Sequence, residues 1–432
     1  MKKIASYALG CKVNQYESEA IAELFAEKGY EVVSVDDAAD VYIINTCTVT
    51  NFGDKKSRQL IRKVKRQNEN AIVAVVGCYA QTAPEELAAV HGVNLVIGTK
   101  DKSKIVELVE DYQAEQGVQN YVTDIMHERV FEPLEIKKLA NRTRAYLKIQ
   151  DGCSQFCSYC IIPYARGPIR SRQPEDVIAE VKRLAENGFK EVVLTGIHVA
   201  SYGKDLKTIT LTDIIRQVHE VEGIERIRFS SIEPNVVTEE FAAAMAELPK
   251  VCDHFHLSLQ SGCDKTLKEM NRKYDTEKYR QAAALLRKYL PDVAITTDII
   301  VGFPGETEED YQASRAFAEE IGFSKIHVFP YSPKKGTPAA ARKDQLQNAV
   351  KQERSHDLIT VSDRMTDAFL QKHVGKVMPV LFERCVGDDV YEGHTTNYMK
   401  VHARSTKDLS NVIADTKILS VAEEMAFGEV EA

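Results

Sequence analysis

The chain has 432 residues, 44% hydrophobic and 28% charged, with a net charge of −8. Two or three domains are expected at that length, because a single core stops growing well short of it. The composition excludes a disordered chain, and the acidic balance excludes a basic nucleic-acid binder as a description of the whole molecule.

No apolar run approaches the roughly 18 residues that a membrane helix needs. Met1-Lys2-Lys3-Ile4 passes straight into an alternating strand without a cleavable signal. A cytoplasmic protein with no membrane partner is expected. In that reducing compartment nine cysteines do not read as a disulfide framework.

In chain order, strands are expected at Ile4–Leu9, Val41–Asn45, Ile72–Val76 and Leu95–Ile97. They alternate with helices at Glu17–Lys28, Lys55–Arg66, Pro84–Val90 and Lys104–Glu110. This alternation predicts an α/β domain with a parallel sheet over residues 1–113. Residues 114–138 lack periodicity and read as a connector. A second α/β domain is expected over 139–370, with strands at Ala145–Gln150, Glu191–Leu194, Arg226–Ser230, His254–Leu259, Ala294–Val301 and Lys325–Pro330. Pro174 and Gly188 bracket one helix, and Thr307 with Asp310 spells a capping box before another. Six βα units predict a partial (βα)6 barrel, whose chemistry belongs at the carboxyl ends of its strands. After a helix at Lys343–Lys372, residues 371–432 change to short strands at Val377–Glu383, Val390–Gly393, Met399–His402 and Thr416–Val421, a small all-β module.

Directly after the first barrel strand the chain reads Cys153-Ser-Gln-Phe-Cys157-Ser-Tyr159-Cys160. Three thiolates on one short loop suit zinc, Cu(I) or an iron–sulfur cluster. Structural zinc takes four protein ligands, and no fourth Cys or His lies nearby. The CxxxCxxC spacing at the top of the first strand closely resembles the radical S-adenosylmethionine superfamily. The resemblance implies a 4Fe–4S cluster with one iron open to S-adenosylmethionine, reductive cleavage to a 5′-deoxyadenosyl radical, and Tyr159 packed near the adenine. It also implies cofactor contacts at Thr195 and Gly196, Ser231 and Glu233, Ser258 and Gln260, and Asp298. These are polar or small residues at carboxyl ends of the barrel strands, where ligands bind.

Cys11, Cys47 and Cys78 each follow a strand of the first domain and precede a helix. A parallel sheet puts all three on one edge, where helix amino ends favour thiolates. They read as ligands of a second 4Fe–4S cluster. Cys252, Cys263 and Cys385 share no such relation and read as packed thiols.

The whole order — spread cysteines, radical barrel, TRAM-like β module — resembles the methylthiotransferase family. That resemblance implies insertion of a methylthio group into a C–H bond, with one S-adenosylmethionine supplying methyl and a second the radical. Leu9-Gly-Cys-Lys-Val-Asn-Gln15 and Asn45-Thr-Cys-Thr-Val-Thr50 look most like the branch acting at C2 of N6-threonylcarbamoyladenosine, adenosine 37 of tRNA. The isopentenyladenosine branch usually has Gln-Met-Asn after the first Cys, and the ribosomal-protein aspartate branch Pro-Lys-Asn. The implied partners are the tRNA anticodon stem-loop and an external electron donor; the oligomeric state stays open. For phosphate contact the expected residues are Lys55, Arg58, Arg62 and Lys65 along one helix, with Arg166 and Arg170 after the cluster loop. On an acidic background, Asn397, Tyr398, Lys400 and His402 would be the RNA surface of the C-terminal module. A rival reading is a non-catalytic iron–sulfur carrier, which would normally close each cluster with four cysteines.

Overall fold

The structure, a computed structural model, describes residues 1–136 and 143–431. The domain boundary expected at 138/139 lies outside the described residues.

The first sheet contains β1 (Lys3–Ala8), β2 (Glu31–Val32), β3 (Val41–Thr46), β4 (Ile72–Gly77), β5 (Leu95–Val96) and β6 (Gln119–Asn120). All its pairings are parallel, in the order β2-β1-β3-β4-β5-β6. β3, Val-Tyr-Ile-Ile-Asn-Thr, is buried at every position. Such a run suits a strand covered on both faces, and an apolar cluster lies on each face, one around Tyr42 and Ile44, the other around Ile43 and Phe25. β6 comes from the segment read as a connector: two residues are too short to carry a period of their own. Helix α1 (Lys12–Glu27) begins earlier than expected, because Cys11 is its extended N-cap. Helix α2 spans Asn51–Gln67, capped by the Thr50 side chain accepting from Gly53 N; the short helix α3 spans Cys78–Thr82.

The barrel strands are β7 (Arg144–Asp151), β9 (Glu191–Gly196), β10 (Arg226–Phe229), β11 (His254–His256), β12 (Ala294–Val301) and β13 (Lys325–Pro330), with the short β8 (Arg170–Ser171) antiparallel on the edge of β7. Bridges Ile227–Val251 and Ile232–Leu257 join β10 to β11, so the six parallel strands form one open barrel. One large apolar cluster fills the space between these strands and their outer helices. The Thr307–Asp310 capping box forms as expected.

The C-terminal module is a closed five-stranded barrel: β14 (Val377–Gly387), β15 (Val390–Thr395), β16 (Lys400–Arg404), β17 (Val412–Ala422) and β18 (Met425–Val430). β18 was not anticipated. The module is bolted under the open barrel by arginines of β10. Arg226 donates to His394 O and Pro379 O, each at 2.8 Å, and Arg228 to Thr395 O and Thr396 O, each at 2.7 Å. The Tyr398 ring stacks between His254 and His394, with centroids 4.8 and 4.9 Å away.

Candidate active site

Cys153, Cys157 and Cys160 occupy one loop, held from every side. Cys153 N donates to Gly167 O at 2.9 Å, Ser158 N to Met270 O at 3.0 Å, and Asn271 Nδ2 to Phe156 O at 2.8 Å. Gly152 makes the entry turn: its φ is +72° and an added Cβ would lie 1.8 Å from Pro168 O, a place only glycine fits. Burial and the neighbouring Cys157 thiol push Cys153 up to about 11; burial and then Cys157 and Cys153 push Cys160 up to about 12. Ionising Cys153 and Cys160 side by side is therefore opposed, and a cationic centre bound between them would relieve that opposition. Arg272 assists, its Nη1 donating to Cys157 Sγ at 3.2 Å while Nη2 donates to Glu233 Oε1 at 2.8 Å. Burial alone would raise the Glu233 carboxyl, but the hydrogen bond and charge of His198, with Arg272, outweigh it and hold the group low. Neither Arg272 nor His198 stands in a recognisable motif, and sequence reading missed both.

Cys11, Cys47 and Cys78 follow β1, β3 and β4, which are neighbours in the sheet, so the topology brings all three to its carboxyl edge. Polar side chains lace the three turns together. Asn14 Nδ2 donates to Leu9 O at 2.8 Å and Thr46 O at 3.0 Å, Asn45 Nδ2 to Asn14 O at 3.1 Å, and Thr46 Oγ1 to Val76 O at 2.6 Å. A Cβ on Gly10 would lie 2.6 Å from Cys47 Sγ, so the turn before Cys11 is cut to fit the second thiol. Burial, then Cys78 and Cys11, push Cys47 up to about 12, and burial raises Cys11 with Cys78 adding to it. Arg166 Nε donates to Cys78 Sγ at 3.2 Å.

That arginine requires a correction. Arg166 was expected to meet phosphate, but it is wholly buried, with Nη1 2.6 Å from Glu17 Oε1 and Nη2 2.7 Å from Asn14 Oδ1. Arg170 is also buried, 3.6 Å from Asp151 Oδ2. Glu17 gathers Lys102 at 3.0 Å and Lys148 at 2.8 Å as well. A buried carboxylate must be paired, and these cations serve that need rather than a ligand. On α2, Lys55 and Arg62 are exposed as expected. Arg58 instead donates to Tyr79 OH, and Lys65 Nζ donates to Ala71 O at 2.8 Å; the free basic face turns toward Lys56 and Arg66. In the C-terminal module Asn397 is buried, donating to Asp292 O, and Tyr398 is used in docking; Lys400 and His402 reach Glu392 at 3.7 and 3.2 Å. Asn397 is thus taken up by packing, while Lys400 stays exposed with Glu392 beside it.

The Cys153 loop and, of the second trio, Cys11 alone border a cavity of about 1140 Å³ in the open barrel. Cys11 and Gly10 line it from one side, and Cys153, Cys157 and Cys160 from the other. Of the expected cofactor contacts, Tyr159, Thr195, Gly196, Ser231, Glu233, Ser258 and Asp298 also line it. Gln260 does not. Its φ is +72°, its N donates to Asp298 O and its O accepts from Ile300 N, so it extends the pairing of β11 with β12. Its backbone position is structural.

Residues 147–318 match the radical SAM superfamily and residues 3–98 match the uncharacterized protein family UPF0004. A relative from Bacillus subtilis (strain 168), threonylcarbamoyladenosine tRNA methylthiotransferase MtaB, is 46% identical over 97% of this chain and 94% of its own length. A protein of the same name from Aquifex aeolicus is 39% identical over 95% of this chain and 99% of its own. The tRNA-2-methylthio-N(6)-dimethylallyladenosine synthase of Thermoanaerobacter sp. (strain X514) is 37% identical, covering 98% and 91%. The fold is similar to that of the radical S-adenosylmethionine methyltransferase TsrM from Kitasatospora setae: TM-score 0.57, 17% identity, covering 79% of this chain and 77% of that one. The three-thiol loop with its guanidinium and the polar strand ends fit the 4Fe–4S cluster and S-adenosylmethionine of that superfamily.

Proposed function

Since this chain belongs to the methylthiotransferase family of radical S-adenosylmethionine enzymes, we propose that it inserts a methylthio group at C2 of N6-threonylcarbamoyladenosine, adenosine 37 of tRNA. The observation that carries this is the shared cavity: Cys153, Cys157 and Cys160 of the barrel and Cys11 of the first domain border one space large enough for a nucleoside. Cys153, Cys157 and Cys160 would hold a cluster that would supply the electron for cleavage of S-adenosylmethionine, and Cys11, Cys47 and Cys78 would hold a second that would supply sulfur, with the C2 hydrogen accounted for in 5′-deoxyadenosine and the methyl group in a second S-adenosylmethionine.

The chain's own residues prepare that chemistry. Arg272 donates to Cys157 Sγ and to Glu233, so a carboxylate of set orientation stands beside the cluster loop. Thr195, Ser231, Ser258 and Asp298 offer polar groups to S-adenosylmethionine from neighbouring strand ends, and Tyr159 a flat face to its adenine. The C-terminal barrel contributes Tyr398, stacked on His254, to the wall of the same cavity. Lys55 and Arg62, with Lys56 and Arg66, form the exposed cationic face for the anticodon stem-loop.

The relatives divide by substituent, and the two higher identities belong to the threonylcarbamoyl class. Nucleoside analysis of tRNA from a deletion strain tests the reading. Loss of the methylthiolated threonylcarbamoyladenosine is expected; loss of a different methylthio nucleoside would overturn it.

A further inference from the structure

Lys12 is the first residue of α1, directly after Cys11. Its side chain enters the cavity, and its Nζ lies 5.8 Å from the Tyr146 ring centroid. Arg144, Arg228 and His254 line the same stretch. Both arginines are compensated: Arg144 Nε is 2.7 Å and Arg228 Nε 2.9 Å from Glu191 Oε1. Among the described residues, every other Lys, Arg, Asp and Glu lining the cavity has an ion-pair partner, Asp298 through His256. Lys12 has none, and no hydrogen-bond partner either. The ammonium lies at the solvent-accessible wall of the cavity, among cations and over an aromatic face, with no anion of the protein to meet it.

We propose that Lys12 is the specificity-determining residue of this cavity: its ammonium binds a carboxylate on the N6 substituent of the target adenosine. The proposal rests on the substrate reading above and deepens it. A threonylcarbamoyl group carries a free carboxylate, whereas a dimethylallyl group is uncharged, so one cation separates the two classes of substrate. Selection by charge follows because a substrate seated over the lysine without a carboxylate would cover the ammonium and leave it unpaired. Its place beside Cys11 ties recognition of the substituent to the site that supplies sulfur.

The test uses the reconstituted enzyme and RNA hairpins bearing threonylcarbamoyladenosine, its carboxamide analogue, or dimethylallyladenosine, with dissociation constants from fluorescence anisotropy. Wild type is expected to bind the acid at least about ten-fold tighter than the carboxamide. Lys12→Met should remove that difference and Lys12→Arg should keep most of it, each variant retaining about eight irons. A Lys12→Met protein that still prefers the acid over the carboxamide overturns the role of Lys12 alone. A wild-type enzyme that binds and methylthiolates the dimethylallyl hairpin in preference overturns the substrate reading, and the proposal with it.

Discussion

The two cysteine trios are made of the same parts in different ways. In each, a glycine with positive φ precedes the first cysteine, burial and neighbouring sulfur raise a thiol (Cys47 in one, Cys160 in the other), and one guanidinium donates to one sulfur at 3.2 Å. Cys153, Cys157 and Cys160 belong to a single loop whose shape is set by bonds to its immediate surroundings. Cys11, Cys47 and Cys78 meet only because β1, β3 and β4 are adjacent and in register. The first site is a local object, whereas the second is a property of a whole sheet. Disturbances should therefore stay confined at the first and spread at the second.

The strongest way to break that contrast is to remove one ligand from each. Wild-type protein, reconstituted without oxygen, should hold about eight irons, and Cys157→Ala or Cys47→Ala about four. Cys157→Ala should form no 5′-deoxyadenosine with dithionite. Cys47→Ala should still form it yet give no methylthiolated nucleoside. If Cys47→Ala lost all its iron, the two sites would not be separate. A smaller perturbation is a single methyl group. Gly152→Ala collides with a backbone carbonyl at 1.8 Å, so loss of the iron at its own loop is expected, with no 5′-deoxyadenosine. Gly10→Ala, at a φ of +94°, meets Cys47 Cβ and Sγ, each at 2.6 Å, and Cβ moves only with its backbone. Loss of the iron of the second site with 5′-deoxyadenosine formation retained is expected, so iron and 5′-deoxyadenosine analysis of the two variants side by side tells the sites apart.

The same contrast explains what could be read from the sequence. A loop site announces itself by spacing, so Cys153, Cys157 and Cys160 were legible at once. The second trio was legible because strand–helix alternation fixes which edge of a parallel sheet each turn reaches. Arg166 and Arg170 were misread for a physical reason: a basic residue next to a cluster looks the same whether it meets phosphate or a buried carboxylate. The deciding partner, Glu17, lies 149 residues away from Arg166. Arg272 and His198 carried no signal, since their roles arise from where β9, β10 and the segment after residue 270 converge. The two-residue strands β6 and β8 were too short to show a period.

The finest test concerns the two arginines. Arg272 has one carboxylate partner, and Glu233 keeps His198 at 3.2 Å if the arginine is lost. Arg166 joins Glu17, Asn14 and Cys78 at once, and it reaches them from the segment that follows the Cys153 loop. Breaking a buried ion pair typically costs about 3–5 kcal/mol, so Arg166→Gln should lower the unfolding free energy by about that amount in denaturant titrations, and Arg272→Gln by less. Each change also removes a donor to a cluster sulfur, which makes reduction harder. Potentiometric titration followed by electron paramagnetic resonance should therefore show the Cys78 site moving to more negative potential in Arg166→Gln, and the Cys157 site in Arg272→Gln. If Arg166→Gln displaces both signals, the network of Glu17, Lys148 and Asp151 carries the disturbance from one trio to the other. The loop site would then be less self-contained than its local hydrogen bonds imply.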